Sequence, residues 1–204
     1  MDIELHENVP DLLNSRSVNQ SNSFFSSGTM PYLWTNIDTR NAAIATTVPI
    51  GAAILGASAV HGDRNLQSFF KGFRPPNWAI RDVRLYTALD LATIAPLGYA
   101  SYLVYKHGGG FDYTDTTVAL SLYGVNVASA LALIPNFKKK NLKCIALNAS
   151  FVALTAIGAA AAFGKIDKSA GYWLVPYALW TSYYAALAIA LNNNDKKHPP
   201  ETIQ

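Results

Sequence analysis

Five long apolar runs, each bounded by polar or basic segments, set the plan of this chain. They cover about 41–60, 85–105, 116–137, 144–164 and 169–191. A helix needs about 20 mostly apolar residues to cross a bilayer core, and each run has that length. Asn41–Val60, Thr116–Phe137, Cys144–Gly164 and Ser169–Asn194 contain no charged side chain, and the run 85–105 holds a single acid, Asp90. A soluble helix would instead place Lys and Glu on a wet face every turn. The pattern predicts an all-α membrane protein with five transmembrane helices in a compact bundle over 41–195. A polar N-terminal tail over 1–40, expected to be mobile, precedes it, and a short tail over 196–204 follows.

Within the runs the side chains are not uniform. In the last, Trp173, Tyr177, Trp180 and Tyr184 recur at spacings of four, three and four, which puts them on one helical face. The other face is mostly Ala, Leu and Val. An aromatic stripe of this kind wants a partner helix or a flat ligand. In the first run Ala52 and Gly56, and Ala53 and Ala57, stand four apart, a spacing that lets backbones approach closely in lipid. Pro49, Pro96 and Pro176 fall inside predicted helices, where each removes a backbone donor.

Composition agrees with this plan. Half of the 204 residues are hydrophobic and 14% are charged, against about a quarter in ordinary soluble domains. Eleven of the 16 lysines and arginines lie in the first loop, the third loop and the C-terminal tail. The positive-inside tendency therefore places those segments, and the C terminus, in the cytosol. The acidic N-terminal tail is neither a secretory signal nor a basic presequence. Its pieces around Phe24, Phe25, Tyr32 and Trp34 are candidates for contact with the membrane interface.

The long connection over 61–84 carries five basic residues and the knot Arg74-Pro75-Pro76-Asn77-Trp78. Two adjacent prolines exclude a helix there, and loops of this length tend to be lids or binding loops. Lys138, Lys139, Lys140 and Lys143 form a second basic patch in a short loop. Chemistry-bearing residues are few. A lone cysteine, Cys144, excludes an internal disulfide and a Cys-type zinc cluster. The four histidines lie outside the apolar cores without metal-like spacing. Asn148-Ala149-Ser150 matches a glycosylation sequon but falls inside a span. Asp90 is the one acid within the spans, and nothing in the sequence pairs with it. No catalytic residue, no metal, no obligatory cofactor and no nucleic-acid partner are expected.

Several stretches together resemble the translocator protein family, also called tryptophan-rich sensory protein or peripheral-type benzodiazepine receptor. They are Val60-His61-Gly62, Pro75-Pro76-Asn77-Trp78, Gly98-Tyr99-Ala100-Ser101-Tyr102-Leu103-Val104, Leu122-Tyr123 and Val175-Pro176-Tyr177-Ala178-Leu179-Trp180. The resemblance covers roughly Val48 to Asp195. It implies a five-helix bundle in the mitochondrial outer membrane of eukaryotes or the bacterial envelope, commonly as a homodimer. It further implies binding of flat hydrophobic ligands: porphyrins or other tetrapyrroles, cholesterol or a related lipid, and benzodiazepine-site compounds. On matching positions, Tyr177 and Trp180 would line the pocket, Pro76 and Trp78 would belong to its capping loop, and Val60 would face it. Asn126 stands where the family usually has Gln and would be a polar contact.

The chain also departs from the family's pattern. It has four tryptophans, lacks the second-helix Trp that follows the PP-x-W motif, and reads Ala130-Leu131 where an Asn-Trp pair is usual. The sterol motif at the end of the fifth helix needs a Tyr followed by a basic residue, and Leu187–Asn194 has neither. Transport or sensing of a tetrapyrrole or sterol is the expected function, with the lipid bilayer and outer-membrane proteins as the surroundings. The alternatives are a porphyrin-modifying enzyme and a scaffold that recruits partners through its basic loops.

Overall fold

The computed structural model describes residues 34–65, 68, 75–80 and 82–197. Most of the polar tail, including Phe24, Phe25 and Tyr32, lies outside them, as do Arg74 and residues 198–204. The described chain is helical, in the order α1 (Asn36–His61), α2 (Val83–His107), a one-turn 3-10 helix (Gly110–Asp112), α3 (Thr114–Leu131), α4 (Leu133–Lys138), α5 (Leu142–Ile166) and α6 (Lys168–Lys197). Four of the five apolar runs each fall within one of these helices, and the third is divided between α3 and α4.

Caps decide where the helices begin and end. α1 starts at Asn36 because Thr35 and Asp38 form a capping box, which extends it back into the stretch expected as tail. Asp82 caps α2 by accepting from the Arg84 N–H at 2.8 Å, and Asn141 caps α5 by accepting from the Cys144 N–H at 3.2 Å. Asp167 joins α5 to α6 and accepts from the Ala170 N–H at 2.9 Å. After α2 the chain turns through Gly109 and Gly110, both at φ 77°, a conformation that glycine adopts without strain.

Helices α1, α2, α5 and α6 pack in antiparallel pairs: α1 on α2, α2 on α6, and α6 on α5. Helix α3 packs along α5. Small residues set the closest approaches. A Cβ at Gly98 of α2 would lie 2.2 Å from the Thr46 Cα of α1, and one at Gly171 of α6 would lie 2.6 Å from the Gly164 Cα of α5. Helix α5 is the most enclosed, with Ala146, Ala149, Ala153, Ala156 and Ala159 buried along its length. The outward faces remain apolar, as Leu147, Leu154 and Leu179 show, each about two-thirds exposed. Apolar exposure on that scale suits lipid rather than water.

Among the described residues, four helical segments are long and apolar enough to cross a membrane: Asn36–Ala59, Thr114–Lys138, Leu142–Ile166 and Lys168–Asp195. Helix α2 has comparable length at 25 residues but is less apolar, because Asp90, Ser101 and its tyrosines dilute its aliphatic content. The third apolar run is broken at Ala132 between α3 and α4. Asn148 faces that break, where its amide satisfies the Ser129 carbonyl and the Leu133 N–H when its oxygen and nitrogen are placed accordingly. The sequon residue is thus an internal contact between helices.

Candidate functional site

The aromatic face of α6 meets α2 in one dense cluster. Trp180 is buried and stacks on Tyr183, with ring centroids 5.1 Å apart and planes 11° apart. Tyr184 meets Trp180 edge-on at 5.1 Å, and Tyr86 of α2 tilts against Trp180, Tyr183 and Tyr184 at 5.6, 6.2 and 5.8 Å. Such edge and offset geometries satisfy the ring quadrupoles.

Asp90 lies one turn below Tyr86 on α2 and belongs to this cluster. Its carboxylate accepts the Trp180 indole N–H at 2.6 Å and the Tyr184 hydroxyl at 3.1 and 3.2 Å. The expectation that nothing pairs with Asp90 is therefore corrected. Its partners sit 90 and 94 positions away, where no local pattern reveals them. Tyr86 and Tyr183 are functional candidates that the sequence reading passed over. The available signal was spacing: Tyr86 and Asp90 are four apart, and Tyr183 is three after Trp180.

Residues 75–80, the described part of the proline-containing loop, bring Trp78 and Ile80 against Tyr183 of the same cluster. The Ile80 N–H donates to the Tyr183 hydroxyl at 2.9 Å, and the Tyr183 hydroxyl shares a 3.1 Å hydrogen bond with that of Tyr86. Trp78 stands edge-on to Tyr183 at 5.7 Å and is 52% exposed. Pro76 is half-buried and accepts the Ala79 N–H at 2.9 Å, which tightens the turn. One tyrosine thus ties the loop to both α2 and α6.

The six residues singled out from the sequence divide between several places. Trp180 and Trp78 join the cluster, and Pro76 belongs to its cover. Tyr177 and Asn126 lie deeper and are bonded to each other: the Tyr177 hydroxyl donates to Asn126 Oδ1 at 2.8 Å. Asn126 is 1% exposed, and its amide nitrogen donates to the Val152 carbonyl and Thr155 hydroxyl of α5. Its hydrogen-bonding groups are engaged in joining α3, α5 and α6. Val60 closes α1, and its side chain lies outside the described residues. Trp173, expected on the same face, is half-exposed and packs edge-on against Tyr99 instead.

At the opposite end of the bundle, Asp38 pairs with Lys106 at 2.8 Å and accepts the Tyr102 hydroxyl, while His107 pairs with Asp167. Loss of solvation pushes the Asp167 carboxyl up, but the Ala170 N–H, His107 and the Ser169 N–H outweigh it and hold it below the usual carboxylate range. Two open grooves, of about 240 and 390 Å³, lie away from the aromatic cluster. One is lined by Ala45, Tyr102, Phe111 and Tyr123, the other by Ala160, Gly164, Gly171 and Tyr172. Among the described residues no group of three or more His, Cys, Asp or Glu side chains is placed to hold a metal ion.

The close glycine contacts and the aromatic cluster all fall within residues 45–193, the part of the chain matched by the TspO/MBR family. The chain belongs to the TspO/MBR family. It is similar to the translocator proteins of Ovis aries (28% identity over 148 residues) and Homo sapiens (28% over 150 residues). Each comparison covers 70% of this chain and 82% of the relative. It is also similar to the uncharacterized membrane protein YtaB of Bacillus subtilis (strain 168), at 26% identity over 129 residues, covering 62% of this chain and 80% of the relative. This TspO/MBR-family chain is an integral membrane protein, as its apolar helices require.

Proposed function

We propose that this protein binds flat hydrophobic ligands between α2 and α6 beneath the proline-containing loop, and contributes to their transport or sensing. The ligand class comprises tetrapyrroles, cholesterol or related lipids, and benzodiazepine-site compounds. The observation that carries this reading is the convergence on Tyr183, whose ring stacks on Trp180 and whose hydroxyl holds the loop through Ile80. Stacked aromatic rings offer large, flat apolar area, and a ligand that displaces Tyr183 from Trp180 would replace one stack with another. The name of the sheep and human relatives, translocator protein, supports a role in moving such a ligand.

In this reading all five long helices, α1, α2, α3 with α4, α5 and α6, cross the membrane. The less apolar α2 is accommodated because its polar groups turn inward to α6 and α1. The C terminus faces the cytosol from the mitochondrial outer membrane, and the protein works as a homodimer or beside other outer-membrane proteins. No catalytic residue is assigned.

The test is binding of protoporphyrin and of a sterol to the protein in nanodiscs, comparing wild type with Trp180→Ala and Trp78→Ala. Loss of porphyrin binding in both variants, with the fold retained, is the expected result. Unchanged binding in both would remove the site from between loop and α6. Saturable sterol binding would show that the C-terminal sterol motif is dispensable here.

A further inference from the structure

Asp90 places a carboxylate within the apolar length of α2, and its hydrogen-bond partners are neutral. The indole N–H of Trp180 and the hydroxyl of Tyr184 reach it, both from α6. The ion pairs Asp38–Lys106 and Asp167–His107 lie at the other end of the bundle, and no described cation pairs with Asp90. A carboxylate at such a position is costly and is usually kept where it faces protein or a ligand path. Neutral dipoles offset part of the cost of removing the charge from water, and a counter-charge would offset more.

The surroundings favour one sign of charge. Tyr86, Trp180, Tyr183 and Tyr184 stand with centroids 5.1–6.3 Å apart beside the carboxylate, and Trp78 adds a fifth ring from the loop. Aromatic faces attract cations to within about 6 Å through their quadrupole. A carboxylate offers about four lone-pair sites. Oδ2 of Asp90 receives one hydrogen bond, at 3.2 Å from the Tyr184 hydroxyl, and so retains capacity for a further donor. Rings and carboxylate therefore attract the same partner, and both disfavour an anion.

We infer that the cluster beneath the loop selects a flat hydrophobic ligand bearing a positive charge, a protonated amine or a quaternary nitrogen, seated against Asp90. This rests on the ligand-binding reading above and narrows its chemistry. The cation replaces the neutral donors as the main compensation for the carboxylate, while the flat body takes the place of Tyr183 against Trp180. A ligand carrying carboxylates would have to turn them outward, away from Asp90.

The test uses the full chain in nanodiscs of zwitterionic lipid at pH 8, with N-methylacridinium as the cationic probe and acridine as its neutral counterpart. Binding is read by probe fluorescence against empty nanodiscs. Wild type should bind the cation at least about tenfold more tightly than acridine. Asp90→Asn keeps an acceptor oxygen for the Trp180 indole and should lose that preference while still binding acridine. Asp90→Glu, which keeps the charge, should retain it. Equal affinities in wild type, or a preference that survives in Asp90→Asn, would overturn the inference and leave the ligand-binding reading standing. Binding of neither probe by folded wild type would overturn the inference, and the ligand-binding reading would then stand or fall on the porphyrin and sterol measurements above. The wild-type ratio decides the matter even where a variant does not fold.

Discussion

Trp180 donates its indole N–H to the Asp90 carboxylate at 2.6 Å, which joins α6 to α2 through the polar centre of an aromatic cluster. Trp180→Phe keeps most of the ring area and deletes the donor, leaving Asp90 with Tyr184 alone. The loss should be about 1–3 kcal/mol, the range for a buried acceptor deprived of a partner. Thermal unfolding in detergent measures it. In a double-mutant cycle with Asp90→Asn the two changes should be non-additive. Additive effects would mean that the 2.6 Å contact contributes little.

Gly98 and Gly171 should not tolerate even one added carbon. Gly98→Ala drives a methyl into the Thr46 backbone, and Gly171→Ala does the same against Gly164. Because backbone rather than a flexible side chain is struck, the helices must separate, at a cost of about 1–3 kcal/mol. Gly56 and Gly124 have nothing within 4 Å of an added Cβ. Their alanine variants should be neutral or gain up to about 1 kcal/mol from helix propensity. Parallel melts of the four variants check the contrast.

Tyr177→Phe and Asn126→Ala test the deeper contact. The first removes the donor to Asn126 Oδ1 and should cost about 1 kcal/mol. The second also strands groups on α5 and the Tyr177 hydroxyl, so its cost should be larger. A ranking in the reverse order in chemical or thermal unfolding would contradict this arrangement.

Acid should loosen the joint between α2 and the α5–α6 turn. The Asp167 carboxyl is held below its ordinary range in the folded protein, so it adds stability above its unfolded pKa of about 3.9. That contribution falls away as pH drops through this value toward the lower folded one. Asp167→Asn should therefore be less stable than wild type at neutral pH, with the difference shrinking below about pH 4. A difference independent of pH would exclude a charge-based origin.

Helix positions were legible because apolar content alone marks a segment that faces lipid on one side and neighbours on the other. The start of α1 was not. Asp38 reads as part of a polar tail until Lys106 and Tyr102, more than 60 residues away, compensate its charge. The face shared by Tyr177, Trp180 and Tyr184 followed from helical spacing, whereas Trp173 on the same register packs against Tyr99 at the bundle's rim. Asn126, expected as a polar contact, is hydrogen-bonded to α5 and Tyr177, partners that no local spacing reveals.

By itself the sequence determined the all-helical membrane class of the protein, the placement of its apolar runs, its aromatic stripe and its family likeness. All of these depend on composition or on spacing within one helix, which a linear reading captures. Only the tertiary structure decided that Asp90 has partners, that Tyr86 and Tyr183 complete the cluster, and that the loop is tied to it through Ile80. Each of these joins residues about 90 to 100 positions apart. Such contacts follow from which helices become neighbours, and that choice rests on close backbone approaches such as Gly98 against Thr46.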